Sequence, residues 1–140
     1  MKVFHTENKG LSGSRRFGLS KAIGEYLIFI DCDDWVEPDW LECLITAIQE
    51  QNADLAICDY FEDYSGHSKY IEVCTREFVQ DYVGDLMHGR TWCVVWNKLI
   101  KTDIVRRYNI EFLENLRYWE DVPFSVSYAL YCNRIAYVHN

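Results

Sequence analysis

The segment that most constrains this chain is the run Tyr26-Leu27-Ile28-Phe29-Ile30, which passes without a break into Asp31-Cys32-Asp33-Asp34. Consecutive apolar residues with no alternation read as a strand buried on both faces, and such a strand needs a covering layer on each side of its sheet. In open α/β sheets, ligands bind beyond the carboxyl ends of the strands, where loops and helix N-termini converge. The acidic tetrapeptide stands at that kind of position. Carboxylates so close together repel, and they stay ionised cheaply only when exposed, capping a helix or facing a cation. Two readings follow: a solvated loop whose aspartates cap a helix starting near Pro38, or a site for a hard cation such as Mg2+ or Mn2+.

The surrounding pattern supplies the rest of an α/β domain. Lys2 to His5 reads as a short strand, and a polar turn ending at Gly10 leads to a helix capped near Ser12 or Ser14 and running towards Ala22. Beyond the acidic cluster, Leu41, Leu44, Ile45 and Ile48 fall at helical spacing behind Pro38. Strands are expected over 54–60, 70–74, 92–95 and 134–139. Helices are expected from Thr75 to Gly89, over 102–107 and over 121–131. Alternating strands and helices predict a single α/β domain spanning 1–140 with a largely parallel sheet. At 140 residues such a domain buries roughly 70% of the surface of its unfolded chain.

Composition excludes several function classes. A formal net charge of −8 argues against nucleic acid, whose binding is driven by clustered Lys and Arg releasing counterions. The six cysteines form no C-x-x-C pair and read as reduced thiols of a cytoplasmic protein. No apolar run approaches the ~20 residues that span a bilayer, which leaves peripheral membrane association open.

Taken in order, Glu7-Asn8-Lys9-Gly10-Leu11-Ser12, Arg15, Gly18-Leu19, Ala22, Gly24-Glu25-Tyr26 and Phe29-Ile30-Asp31-Cys32-Asp33-Asp34 resemble glycosyltransferase family 2. Trp96-Asn97-Lys98-Leu99 and Trp119-Glu120-Asp121-Val122 resemble that family's later segments. The resemblance implies a GT-A fold that transfers a sugar from a nucleotide-diphosphate donor to an acceptor hydroxyl with inversion, using Mn2+ or Mg2+. It implies that Asp33 ligates the metal directly and that Asp31 faces the metal's water shell or the ribose, with Asp34 and Arg15 on the donor side. Asp121 becomes the candidate base and Glu120 beside it a second catalytic candidate, although an Asp two residues before Pro123 also reads as a helix N-cap. Arg16 stands where the family has Asn, and either reaches the donor phosphates or points to solvent.

The resemblance also implies that the chain starts at the equivalent of the family's third strand, without the two strands that cradle the nucleotide base. The expected fold is thus N-terminally truncated. Saccharide or lipid-linked acceptors of surface polysaccharide synthesis, met at the inner face of the plasma membrane, are the implied partners. Trp92 and Trp96 are expected in the core, whereas Trp119 divides evenly between core and acceptor stacking, and Tyr118 could also stack on a sugar. His139 could join a metal shell, or be structural. Two alternatives remain: a non-catalytic remnant that self-associates through an exposed sheet edge into a homo-oligomer, and a haloacid-dehalogenase-like phosphatase with Asp31 as nucleophile.

Overall fold

Leu55-Ala56-Ile57-Cys58 is the strand around which the protein is built, because every one of its side chains is buried. Successive residues point to opposite faces. Leu55 and Ile57 enter one core with Tyr82, Leu86, Phe112, Phe124 and Tyr128, while Ala56 and Cys58 enter a second with Leu44, Ile48, Leu99 and Ala136. A sheet with a core on each side is the three-layer α/β arrangement. The computed structural model describes residues 2–114, 116 and 118–139.

The elements run α1 (Gly10–Lys21), β1 (Tyr26–Leu27), α2 (Trp40–Glu50), β2 (Leu55–Cys58), β3 (Tyr60–Tyr64), β4 (His67–Ile71), α3 (Val79–Met87), β5 (Lys98–Lys101), α4 (Thr102–Arg107), α5 (Asp121–Ala129) and β6 (Ile135–Val138). The main sheet has the order β1-β5-β2-β6, and β3 with β4 forms a separate hairpin. Helix α2 lies over β2 and β6 on one side, and α3 packs with α5 on the other.

The sheet is mixed rather than largely parallel. Strand β2 pairs in parallel with β6 but antiparallel with β5, and β5 is antiparallel to β1 as well. Three strands therefore share one direction, with β5 inserted against them. The expected strand over 92–95 does not form. Carbonyls of Trp92 and Val94, which a ladder would have used, accept instead from the Lys98 ammonium at 3.2 and 2.6 Å. The strand begins at Lys98 itself.

At the N-terminus, residues 2–5 form no strand, and Val3 and Phe4 are exposed, with Phe4 meeting Phe17 edge-on at 5.5 Å. In the run from Tyr26 to Ile30 the first four residues are half-buried and Ile30 is exposed, and only two residues pair, because β1 lies at the edge of the sheet. Leu27 and Phe29 still pack against one core and Tyr26 and Ile28 against the other. The two-faced pattern is real, but the edge position leaves one flank open. No described helix is long and apolar enough to cross a membrane.

Lys98 is 5% exposed, and burial pushes its ammonium down to about 8. Below pH 8 both folded and unfolded states hold the proton, and the folded state carries the full cost of desolvation. Between pH 8 and the unfolded value near 10.5 only the unfolded state binds it, so stability rises with pH. Measured by chemical denaturation, the stability of the parent relative to Lys98→Met is expected to increase by up to ~1.4 kcal/mol per pH unit from pH 8 to 10.

Candidate active site

The acidic loop is held by aromatic packing from below and an arginine from the side. Phe29 lies two residues before Asp31 and meets Phe112 and Phe124 edge-on, at 5.3 and 5.9 Å, while those two rings stack at 4.2 Å. Phe112 and Phe124 are essentially inaccessible to solvent, so the end of the strand is anchored in the core. Beyond it the chain turns, with the Asp34 amide donating to the Asp31 carbonyl at 3.3 Å. Cys32 and Asp33 occupy the tip of that turn and are exposed.

Arg15 on α1 is 8% exposed, and its guanidinium bridges two carboxylates. Its Nη2 donates to both oxygens of Asp31, at 2.9 and 3.2 Å, and its Nη1 donates to Glu120 Oε1 at 2.6 Å. Glu120 is itself buried. A planar, permanently charged fork can satisfy two carboxylates at once, which an ammonium cannot do with the same geometry. Helix α1 is tied to the same region twice more, through the Ser12 hydroxyl on the Leu113 carbonyl and through Arg16 paired with Glu111 and Glu114. That settles Arg16, which faces neighbouring glutamates.

Asp121 is the first residue of α5, and the N-cap position belongs to Glu120, with no side-chain cap. The capping role expected for Asp121 is therefore absent. Its carboxylate makes no hydrogen bond or ion pair among the described residues, and it lies near enough to Lys98 and Cys93 for its charge to act on both. A negative charge in the first turn also suits the helix dipole. Pro123 falls within that turn, where no amide donor is lost. Helix α2 likewise starts at Trp40 without a side-chain cap, so the aspartates of the acidic loop cap no helix.

Asp33 and Asp34 line a cleft of about 720 Å³ bounded by residues 29–40, the β3–β4 hairpin and the indoles of Trp92 and Trp96. Desolvation by the surrounding loop, then the charges of Asp31 and Asp33, raise the Asp34 carboxyl above its ordinary value. Among the described residues no three His, Cys, Asp or Glu side chains converge into a ready metal cage. Mg2+ is commonly held by one or two carboxylates plus substrate phosphates and water, and two exposed aspartates on one cleft fit that pattern. Asp31 points instead at Arg15.

The other expected residues fall out differently. His139 uses both ring nitrogens, Nδ1 on Asp59 at 3.0 Å and Nε2 with Thr75 Oγ1 at 2.9 Å, so it is structural. Trp92 is not in the core, being 64% exposed, because the loop that carries it is drawn to Lys98 by its backbone. Trp96 is half-buried and meets Tyr60 edge-on at 4.9 Å. Tyr118 and Trp119 are exposed. Sequence reasoning did not find the β3–β4 hairpin wall of the cleft, although Ser65-Gly66 between two aromatic runs is a turn signal.

Trp119 adopts φ +64°, a left-handed conformation that costs a bulky residue of order 1–3 kcal/mol, immediately before Glu120 and Asp121. Thermal denaturation is expected to rank Trp119→Gly at or above the parent and Trp119→Val below it, by about 1 kcal/mol. Arg15→Ala leaves Glu120 buried without its cation and is expected to cost roughly 3–5 kcal/mol. In the same assay, Arg15→Ala combined with Glu120→Gln should recover part of that loss.

Comparisons with known proteins bear on the family and the fold. The family model described as Glycosyl transferase family 2 matches residues 1–106. EpsH of Bacillus subtilis is 31% identical, with the alignment covering 98% of this chain and 42% of that protein. The cholesterol galactosyltransferase of Borreliella burgdorferi is also 31% identical, covering 100% of this chain and 42% of the relative. Among solved structures, S. aureus TarS 1-349 in complex with UDP superposes with a TM-score of 0.70 at 22% identity, over 93% of this chain and 38% of that one. The complex with UDP-GlcNAc gives 0.68 at 21%, over 98% and 41%. The chain thus spans about two fifths of the relatives it matches, and the GT-A-type fold extends over nearly all of it. The phosphatase alternative is set aside by the family match, and both oxygens of Asp31, its would-be nucleophile, are engaged by Arg15. By the extent of that match, this chain belongs to glycosyl transferase family 2.

Proposed function

We propose that the chain forms the metal- and acceptor-facing part of an inverting sugar transferase that uses a nucleotide-diphosphate sugar. The observation that carries this reading is the Arg15 bridge, which fixes Asp31 and Glu120 and thereby sets the Asp33–Asp34 loop and the Asp121 helix start against one another. Family membership and relatives solved with UDP and UDP-GlcNAc support the choice of donor.

In this reading Asp33 and Asp34 hold Mg2+ or Mn2+, and Asp31 and Arg15 fix the loop that presents them. A bound divalent cation supplies charge neutralisation for the departing nucleotide diphosphate. Asp121 takes the proton of the acceptor hydroxyl as its oxygen attacks the anomeric carbon, and the bond to the diphosphate breaks on the opposite face. Its carboxylate is free of hydrogen bonds among the described residues, as a base requires. Glu120, buried against Arg15, is a positioning residue. Assembly of surface polysaccharide on a saccharide or lipid-linked acceptor, at the cytoplasmic face of the membrane, is the setting that fits these parts.

Isothermal titration of UDP into the folded chain, with and without manganese, tests the donor half of this reading. Binding is expected only with manganese, lost in Asp33→Ala and retained in Asp121→Asn. Binding that ignores both manganese and Asp33 would remove the metal-bridged donor from the proposal.

A further inference from the structure

The β3–β4 hairpin has no core to serve. Most of its residues are exposed, including Phe61, Tyr64 and Tyr70, and among the described residues it pairs with no other strand. An element that leaves large aromatic side chains in water is poorly explained by stability alone. The hairpin is nevertheless fastened to the acidic loop. Trp35, which follows Asp34 directly, stacks on Phe61 with ring centroids at 6.1 Å and planes 18° apart, and its indole N–H donates to Asp63 at 2.7 Å. Phe61 in turn pairs across the hairpin with Tyr70, at 5.4 Å. The result is a continuous aromatic wall that starts at the acidic loop and runs outward along the cleft.

The charge of the same cleft is one-sided. Seven carboxylates line it, and no lysine, arginine or histidine does so among the described residues. Aromatic faces suit the C–H faces of pyranose rings, and carboxylates accept hydrogen bonds from sugar hydroxyls. Away from Asp33 and Asp34, an acceptor carrying carboxylate, sulfate or phosphate would meet net repulsion there, a cost that works as specificity against the wrong partner.

We propose that the wall formed by Trp35, Phe61 and Tyr70, with Trp92 across the cleft, is an acceptor subsite for saccharides that lack acidic groups. This rests on the sugar-transferase reading and adds to it the chemical class of the acceptor. Glu62 and Asp63 on the hairpin, with Glu37 and Asp39 on the facing segment, are its charge filter. The aromatic residues named are 41–64% exposed, so their removal leaves both cores intact.

The test applies the purified chain to an immobilised glycan panel, with and without UDP and manganese, in which uncharged and amino-sugar oligosaccharides are matched in length to uronate and sulfated ones. Retention is expected on the acid-free glycans. It should fall at least ten-fold in Phe61→Ala and in Trp92→Ala, with circular dichroism and UDP titration unchanged. Glu37→Lys should narrow the discrimination against acidic glycans. Preference for acidic glycans, retention indifferent to both aromatic substitutions, or no retention under either condition overturns the proposal. Loss of UDP binding with glycan retention intact would instead count against the donor reading, which keeps the two separable.

Discussion

The buried contact of Arg15 with Asp31 and Glu120 is the constraint on which the site depends. It joins three segments that are far apart in the chain: helix α1, the loop after β1 and the start of α5. Each alone is ordinary. An exposed arginine–carboxylate pair contributes little, but here the arginine and Glu120 have both left water, so neither can be spared without stranding the other. The contact therefore acts less as added stability than as a geometric lock, and what it locks is the spacing between the acidic loop and Asp121. The Phe29–Phe112–Phe124 cluster does the same from the core side, since Phe29 lies two residues before Asp31 and Phe124 four residues after Glu120.

Local signals in the sequence were read well where local physics decides. The boundaries of α4, residues 102–107, follow from its pattern, and α2 and α5 lie within two or three residues of expectation, whereas α1 starts ahead of the serines expected to cap it and α3 starts four residues after Thr75. Motif and context single out the acidic loop and Asp121 as candidates. What escaped was set by long-range contacts. The strand expected over 92–95 has suitable residues, but Lys98 captures its carbonyls, and β5 is hidden in Lys-Leu-Ile-Lys, whose first lysine is buried. The hairpin is only grazed by the expected strands, because the run over 54–60 takes in Tyr60 alone of β3, the run over 70–74 takes in only the end of β4, and Tyr60-Phe61-Glu62-Asp63-Tyr64 carries no alternation. Its turn, with Gly66 at φ +93°, was the clue left unused.

The same distinction applies to the site. The family resemblance puts Arg15 on the donor side, but its bond to Glu120 spans 105 positions and has no local signature. Trp92 shows the opposite failure. Tryptophan in an apolar stretch is usually core, yet the backbone of its loop is already committed to an ammonium, and the indole is left at the cleft. A residue's type predicted its burial less well than the hydrogen bonds of its neighbours.

The balance of charge explains how these parts work together. A chain of formal charge −8 that concentrates carboxylates along one cleft cannot admit a diphosphate there unaided. The positive side chain closest to the acidic loop is Arg15, and it is already neutralised by Asp31 and Glu120. A metal ion at Asp33 and Asp34 would therefore be the local means of accepting an anionic donor, because repulsion between adjacent carboxylates is relieved by the same cation that draws in the phosphates. Farther along the cleft the aromatic wall replaces charge with ring faces, where an uncharged ring stacks without paying for compensation. In the proposed reading, the acidity that would make the donor end depend on a cation would also make the acceptor end selective.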